Sequence, residues 1–509
     1  MQEHTYDVCI IGSGASGSIA ASYLVQSGYD VVVIEQGDWV DSSTSYLEIL
    51  QTAEPAYAED ASGHRRPDGY AWTTCNVGGG TVFYGGVSWR FREVDFDCSQ
   101  YMQGEDLDVC WPYSYDVLAP FYDIVESEIG VARTKDCDPC EPPITTLALP
   151  PHPYSLKGEF IAQTALDLGL KPFPTPLAIN SAPYNKRKTC DRGRLCIESF
   201  CASGAKGDAL RVYLMPLLSR QNFTLRSATK AVALVQNRAN RIFALKCVDV
   251  KNGERLFIRA RLFIVACNAI QSAVLLLRST SHFSPSGVGN EFGLVGRGLC
   301  YKNSVYVLGR SSRMKQEQSL LRSDYGPCST VSMTDYYIDP SFTNGLGGLI
   351  YEMAPGNTSV RPNWGPDWLR LECLISDRPR YRNQVYLSDE RDNFGLQIPV
   401  LHYETDECDR SRLKGLVERC RSLFDRMGVE QMELESAEFE LGSGHLHGTC
   451  RAGHDPRSSV LDANCCVHDF DNLYVIDGSF MPYPSSLNPT LTIQANALRV
   501  AWQIAKLLK

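Results

Sequence analysis

Apolar and polar positions follow recognisable periods along much of the chain, beginning with Tyr6–Ile11, whose apolar run predicts a fully buried strand. Ala15–Ser27 predicts a helix and Asp30–Ile34 a second strand ending at Glu35, together a β-α-β unit. From Asp38 to Pro67 the pattern is irregular. Short strand-like runs at Thr224–Arg226, Ala231–Val235, Phe243–Val250 and Leu256–Arg261, separated by turn signals, predict a small antiparallel meander. It feeds a further apolar strand, Leu262–Cys267, and a helix beginning near Ile270. The middle region, about 300–440, mixes strands with a helix at Asp409–Met427 and carries no nucleotide signature, so it is the expected substrate-facing part. Near the end, Leu473–Ile476 predicts a short buried strand. Leu491, Ala495, Leu498, Trp502, Ala505 and Leu508, three or four apart, predict a closing amphipathic helix over Pro489–Leu508. Residues 133–155, rich in Pro and Cys and without periodicity, read as an excursion from the compact unit.

At 509 residues the chain exceeds what one core usually serves, so two domains are expected. Its 44% hydrophobic and 21% charged residues are ordinary for a globular protein. The formal charge of −10 argues against a nucleic-acid partner and suits a cationic small substrate. The N-terminus lacks the basic, apolar and small-residue regions of a signal peptide, and the longest charge-free stretch, Leu262–Leu277, is shorter than a membrane span. A cytoplasmic protein with no membrane partner is the expectation. The 19 cysteines are odd in number and scattered, which predicts reduced thiols rather than a disulfide framework. Cys190, Cys196 and Cys201, and the pair Cys137 and Cys140, match no recognised zinc spacing, so no metal is expected.

Chemistry first shows in GSGASG. Gly12, Gly14 and Gly17 have the G-x-G-x-x-G spacing between a predicted strand and helix, and Glu35 follows eighteen residues after the last glycine. Gly12 permits the tight turn, Gly14 lets a pyrophosphate reach the helix's positive end, and Gly17 lets helix and strand pack closely. Glu35 would accept hydrogen bonds from ribose hydroxyls, and its charge disfavours the 2′-phosphate of NADP. FAD and NAD both remain open on these residues alone. TTCNVGGGTVFYGGVSWRF, residues 73–91, holds five glycines that free the backbone to approach a ligand closely.

Three segments in order, GHLHGTCRAG, NLYVIDGSFMP and NPTLTIQANALRVA, resemble the C-terminal signature of the glucose–methanol–choline (GMC) oxidoreductases. GTVFYGGVSWRF resembles that family's flavin-facing loop, and VACNAIQSAVLLLRS its second internal signature, although the turn reads Cys267-Asn268-Ala269-Ile270 where the family has Ala-Gly-Ala-Ile. The resemblance implies FAD, with Gly79, Gly80 and Thr81 in the flavin loop and Asp477 near the pyrophosphate and ribityl chain. Pro489 and Thr490 would open a helix whose N–H groups face the flavin pyrimidine carbonyls. It implies that His445 is the base and that Asn488 holds the substrate hydroxyl. A neutral imidazole can take the proton that a carbinol must lose when hydride leaves its carbon, and an amide can hold the oxygen without adding charge. His447 is the rival base, or a brace for the site, and spacing alone does not rank the two. Tyr84 is a further wall candidate. The loop Thr81-Val82-Phe83-Tyr84 lacks the histidine that tethers FAD in some relatives, which implies dissociable cofactor.

PTPLAIN at 174–180, CASGAKGDA at 201–209 and GVGNEFGLVGRGLC at 287–300 narrow the resemblance to a branch acting on amino sugars. Those enzymes oxidise a primary alcohol to an aldehyde that an aminotransferase then converts to an amine in antibiotic pathways. The implied reaction uses O2 and yields H2O2. A sugar or polyol dehydrogenase with another acceptor, and a flavin-holding or sugar-binding protein without turnover, are the alternatives. The expected fold is mixed α/β, with a discontinuous Rossmann-type FAD domain (1–100, 201–310 and 441–509) and an inserted substrate domain (101–200 and 311–440) built on an antiparallel sheet and helices.

Overall fold

The computed structural model describes residues 4–68, 73–102, 107–192, 196–314, 327–342, 345–354, 367–435 and 444–509. Three sheets organise them. The first has seven strands, ordered Phe223–Arg226, Val31–Ile34, Thr5–Ile11, Arg255–Val265, Ile242–Asp249 and Thr229–Gln236, with Leu473–Val475 also pairing with Arg255–Val265. Val8, Cys9, Ile10, Val31, Val32 and Val33 are fully buried, as strands covered on both faces require.

Two sequence expectations change here. Leu256–Arg261 and Leu262–Cys267 are not two strands but one, Arg255–Val265. Its first half pairs antiparallel with Ile242–Asp249, and its second half pairs parallel with Thr5–Ile11 and Leu473–Val475. The first half alternates between buried and exposed positions and the second is buried throughout, so the change of partner mimics a break in the sequence. Phe223–Arg226 leaves the expected meander and pairs in parallel with Val31–Ile34 at the sheet edge.

The second sheet is antiparallel throughout, ordered Gln431–Glu435, Lys302–Arg310, Trp368–Ser376, Gly348–Glu352, Val331–Met333 and Phe173–Pro174. Val305, Val307, Leu369, Leu371, Cys373 and Ile375 form a buried cluster with Leu413, Leu416, Cys420 and Phe424 of the helix Glu407–Arg426. The alternate positions of the strands face the other way. Lys302–Arg310, within the segment expected in the FAD domain, runs in this sheet. A third, four-stranded sheet joins Ala56–Glu59 and Arg65–Asp68 to Gln384–Arg391 and Gln397–His402. The expected boundary between residues 440 and 441 lies outside the described residues.

Residues 133–155 are not an excursion. Arg92 pairs with Asp138 and Glu141, and Arg133 pairs with Glu126 and Glu141, all buried. Charged contacts to distant segments leave no periodic trace in sequence, which is why the stretch reads as detached. The closing helix, Thr490–Leu507, packs on Ala15–Gln26 and Tyr115–Ile129. No helix among the described residues is long and apolar enough to cross a membrane.

Candidate active site

A cavity of about 920 Å³ lies between the first two sheets, with walls that include Gly12, Gly14, Glu35, Gly79, Gly80, Thr81, Tyr84, His445, Asp477, Asn488, Pro489 and Thr490. Chain segments far apart in sequence thus share one space. Gly12 has φ +102°, and a Cβ there would collide with the Ala266 carbonyl oxygen. Gly17 lies outside the wall and acts through packing, because a Cβ would strike the Gly12 carbonyl. Glu35 accepts from Ser13 N–H (3.0 Å), Ser13 Oγ (2.6 Å) and Gly37 N–H (2.8 Å), so the acid expected on a ribose also fastens the glycine turn. Burial pushes its carboxyl above the usual range, against the lowering effect of those hydrogen bonds.

Two helices point uncapped ends at this space. Ala15–Gln26 begins after Gly14 and Thr490–Leu507 after Pro489, neither with a side-chain cap or an acid in its first turn. Both leave N–H donors and positive dipole ends for an anionic or carbonyl-bearing ligand. The helix Ala269–Arg278 differs: Asn268 caps it, its side chain accepting from Ile270 N–H (2.9 Å) and Gln271 N–H (3.0 Å). Asn268 sits at φ +91°, a backbone otherwise suited to glycine, which explains the family glycine at this turn. Asp477 caps the short turn Gly478–Phe480 and accepts from Ser272 Oγ at 2.5 Å, and burial raises its carboxyl.

His445 and Asn488 meet, Asn488 Nδ2 lying 3.3 Å from His445 Nε2. Burial pushes the His445 imidazole down to about 3, so it is neutral near pH 7. Asn488 Oδ1 is buried without a hydrogen-bond partner among the described residues, and its side chain lies beside the Tyr351 hydroxyl. The loop before it is tied to the second sheet: Ser485 Oγ lies 2.9 Å from Tyr337 Oη, and Ser486 Oγ accepts from Ser376 N–H (2.8 Å) and donates to Gly347 O (2.9 Å).

His447 is fully buried, absent from the cavity wall, and fixed by backbone hydrogen bonds to Cys300. Burial holds its ring well below the usual histidine range. Tyr84 lines the cavity, but its hydroxyl donates to Gly207 O at 3.0 Å. Lys206 Nζ donates to the carbonyls of Val82 (3.0 Å) and Cys196 (2.8 Å), and Arg211 to that of Cys201 (2.7 Å), so the cysteine-bearing loop is held by cations. All 19 cysteines are free thiols. Among the described residues no group of three or more His, Cys, Asp or Glu could hold a metal.

Sequence reasoning missed Tyr306, Tyr351 and Glu372, which stand in the same wall. The available signal was a polar residue, Glu372, at an alternate position of the apolar strand Trp368–Ser376.

Comparisons with known proteins agree with this geometry. The GMC oxidoreductase family matches residues 159–302 and 379–497, and an NAD(P)-binding Rossmann-like domain matches residues 10–40. A 6‴-hydroxyparomomycin C oxidase of Streptomyces lividus is 43% identical, the alignment covering 99% of this chain and 92% of the relative. A paromamine 6′-oxidase of Streptomyces fradiae is also 43% identical, with the same coverage. The crystal structure of pyridoxine 4-oxidase from Mesorbium loti shares the fold, with a TM-score of 0.71 at 19% identity over 98% of this chain and 99% of that one. A discontinuous dinucleotide cradle joined to a His–Asn pair, and relatives of this identity over nearly the whole length, have one reading: the chain belongs to the GMC oxidoreductase family, FAD-dependent enzymes acting on CH–OH donors.

Proposed function

We propose that the enzyme oxidises a primary hydroxyl of an amino sugar, of the paromamine 6′-OH kind, to the aldehyde, with O2 as acceptor. The reaction balances as R–CH2OH + O2 → R–CHO + H2O2. The carrying observation is the His445–Asn488 pair in the wall of the dinucleotide cavity. The names of the two relatives support an aminoglycoside substrate and a role in antibiotic biosynthesis, where an aminotransferase would consume the aldehyde.

FAD fits the residues present. Gly12, Gly14 and Glu35 would hold the adenosine and pyrophosphate part; Gly79, Gly80, Thr81 and Asp477 the pyrophosphate and ribityl chain; and Pro489 and Thr490 the pyrimidine edge. The first sheet then serves the cofactor and the second the substrate. Thr81-Val82-Phe83-Tyr84 offers no histidine for a covalent bond, which supports dissociable FAD. Bound flavin supplies the hydride acceptor.

The protein's part is to hold and deprotonate the hydroxyl. Because Asn488 Nδ2 donates towards His445 Nε2, that nitrogen is the acceptor and the ring proton belongs on Nδ1. A carbinol entering between them would donate to Nε2 and accept from the amide. His445 takes the proton as hydride leaves the carbon. His447, behind the wall, braces rather than reacts.

The test is anaerobic flavin bleaching by paromamine, neamine-like amines and neutral sugars, followed by oxygen uptake. Bleaching by neutral sugars alone would overturn the substrate reading, and dye reduction without oxygen uptake the acceptor. His445→Ala should slow bleaching about 10²- to 10⁴-fold, as loss of an acid–base group does.

A further inference from the structure

We propose that Glu372 is the specificity-determining residue of this site, its carboxylate receiving an ammonium borne on the same sugar ring as the hydroxyl held by His445 and Asn488. The inference rests on the amino-sugar reading above and adds the residue that reads the charge.

Register brings the elements together. Across three antiparallel strands, Tyr306 stands opposite Glu372, and Glu372 opposite Tyr351, so the three side chains form one row on one face of the sheet. The neighbouring positions Val307, Leu371 and Ile350 turn the other way, into the core beneath Glu407–Arg426. All three members of the row line the cavity that holds His445 and Asn488.

Glu372 is only 3% exposed. A carboxylate buried in an apolar strand costs more than a neutral side chain of the same shape, and a glutamine could equally accept a hydrogen bond from a tyrosine. What a carboxylate adds is attraction for a cation. The Tyr351 hydroxyl donates to Glu372 Oε2 and lies beside the Asn488 side chain. One phenol thus stands between the carboxylate and the amide proposed to hold the hydroxyl. Tyr306 and Tyr351 flank the carboxylate in the row.

Two protein cations stand near the row. Arg370 lies over the Tyr306 ring at 3.9 Å and pairs with Glu435 at 3.1 Å, so its charge is answered elsewhere. Burial drives Lys302 well below the usual lysine range, which weakens it as a competitor.

The test uses FAD-loaded enzyme, anaerobic bleaching, and two substrates, paromamine and its counterpart with the 2′-amine replaced by hydroxyl. Wild type should prefer paromamine, and Glu372→Gln should cut the ratio of the two kcat/KM values about 10- to 100-fold, the loss falling on KM rather than on the limiting bleaching rate. Glu372→Asp, which retracts the carboxylate by one methylene, should give an intermediate ratio and serves if Glu372→Gln does not load FAD. If wild type bleaches with paromamine and both variants keep its ratio, the assignment of Glu372 is overturned and the substrate reading stands. The same loss in Glu198→Gln instead would give the role to another carboxylate of this wall and equally overturn the proposal. If paromamine does not bleach wild type, the substrate reading fails and this inference with it.

Discussion

Lowering the pH from 7 to 5 distinguishes a buried His445 from an ordinary one. With an unperturbed value of about 6.5, the imidazole would be roughly 97% protonated at pH 5, and a reaction needing its free base would slow about 25-fold from pH 7. Burial places it at about 3 instead, so the base form persists across this interval. His447 and Lys302 are likewise held well below their usual ranges by burial. A sugar ammonium stays protonated throughout. Stopped-flow bleaching of FAD-loaded enzyme should therefore give kcat/KM constant within about twofold from pH 5 to 7, where the expected alternative is the 25-fold fall. A fall of that size with a midpoint near 6.5, with FAD loading intact, would refute the burial argument. Stability follows the same sign. The unfolded chain binds a proton on this residue below about 6.5 while the native state does not until about 3, so its contribution is present above 6.5 and lost as pH falls towards 3.

Three further outcomes test the cofactor half. Gly12→Ala, forced into φ +102° with its methyl against the Ala266 carbonyl, should purify without visible flavin absorbance. Asn268→Gly relieves backbone strain of about 1–3 kcal/mol and loses only a few tenths as a cap, so it should raise the thermal midpoint of the FAD-loaded enzyme, whereas Asn268→Ala should lower it. Acid precipitation should release the flavin into the supernatant; fluorescence remaining with the denatured chain would show a covalent bond.

The glycine turn between the first strand and helix was readable because backbone geometry imposes it on local sequence. Gly12 and Gly17 are where they are because the Ala266 and Gly12 carbonyls leave no room for a Cβ, and the strand, turn and helix that need them are contiguous. The closing helix was readable from its three-and-four spacing, and it begins within one residue of the expected Pro489. Tyr306, Tyr351 and Glu372 were not readable, because strand register rather than sequence proximity makes them neighbours. Arg255–Val265 was misread for a related reason: a strand that exchanges an antiparallel partner for parallel ones changes its burial pattern without breaking.

This difference has a consequence for how the site can vary. Asn488 and Thr490 are two residues apart, so the amide proposed to hold the hydroxyl and the N–H donors of the closing helix keep a spacing set by the chain itself. Ser485 and Ser486 bind that segment to Tyr337, Ser376 and Gly347, fixing it against the second sheet. Glu372 reaches the same cavity on a separate strand, where it accepts from the Tyr351 hydroxyl. A substitution in the Tyr306–Glu372–Tyr351 row can thus change which sugar is admitted while the covalent spacing of amide and cofactor donors stays fixed. The division predicts that exchanges along this row alter substrate preference before they alter FAD loading, whereas disturbance of 485–490 alters both together.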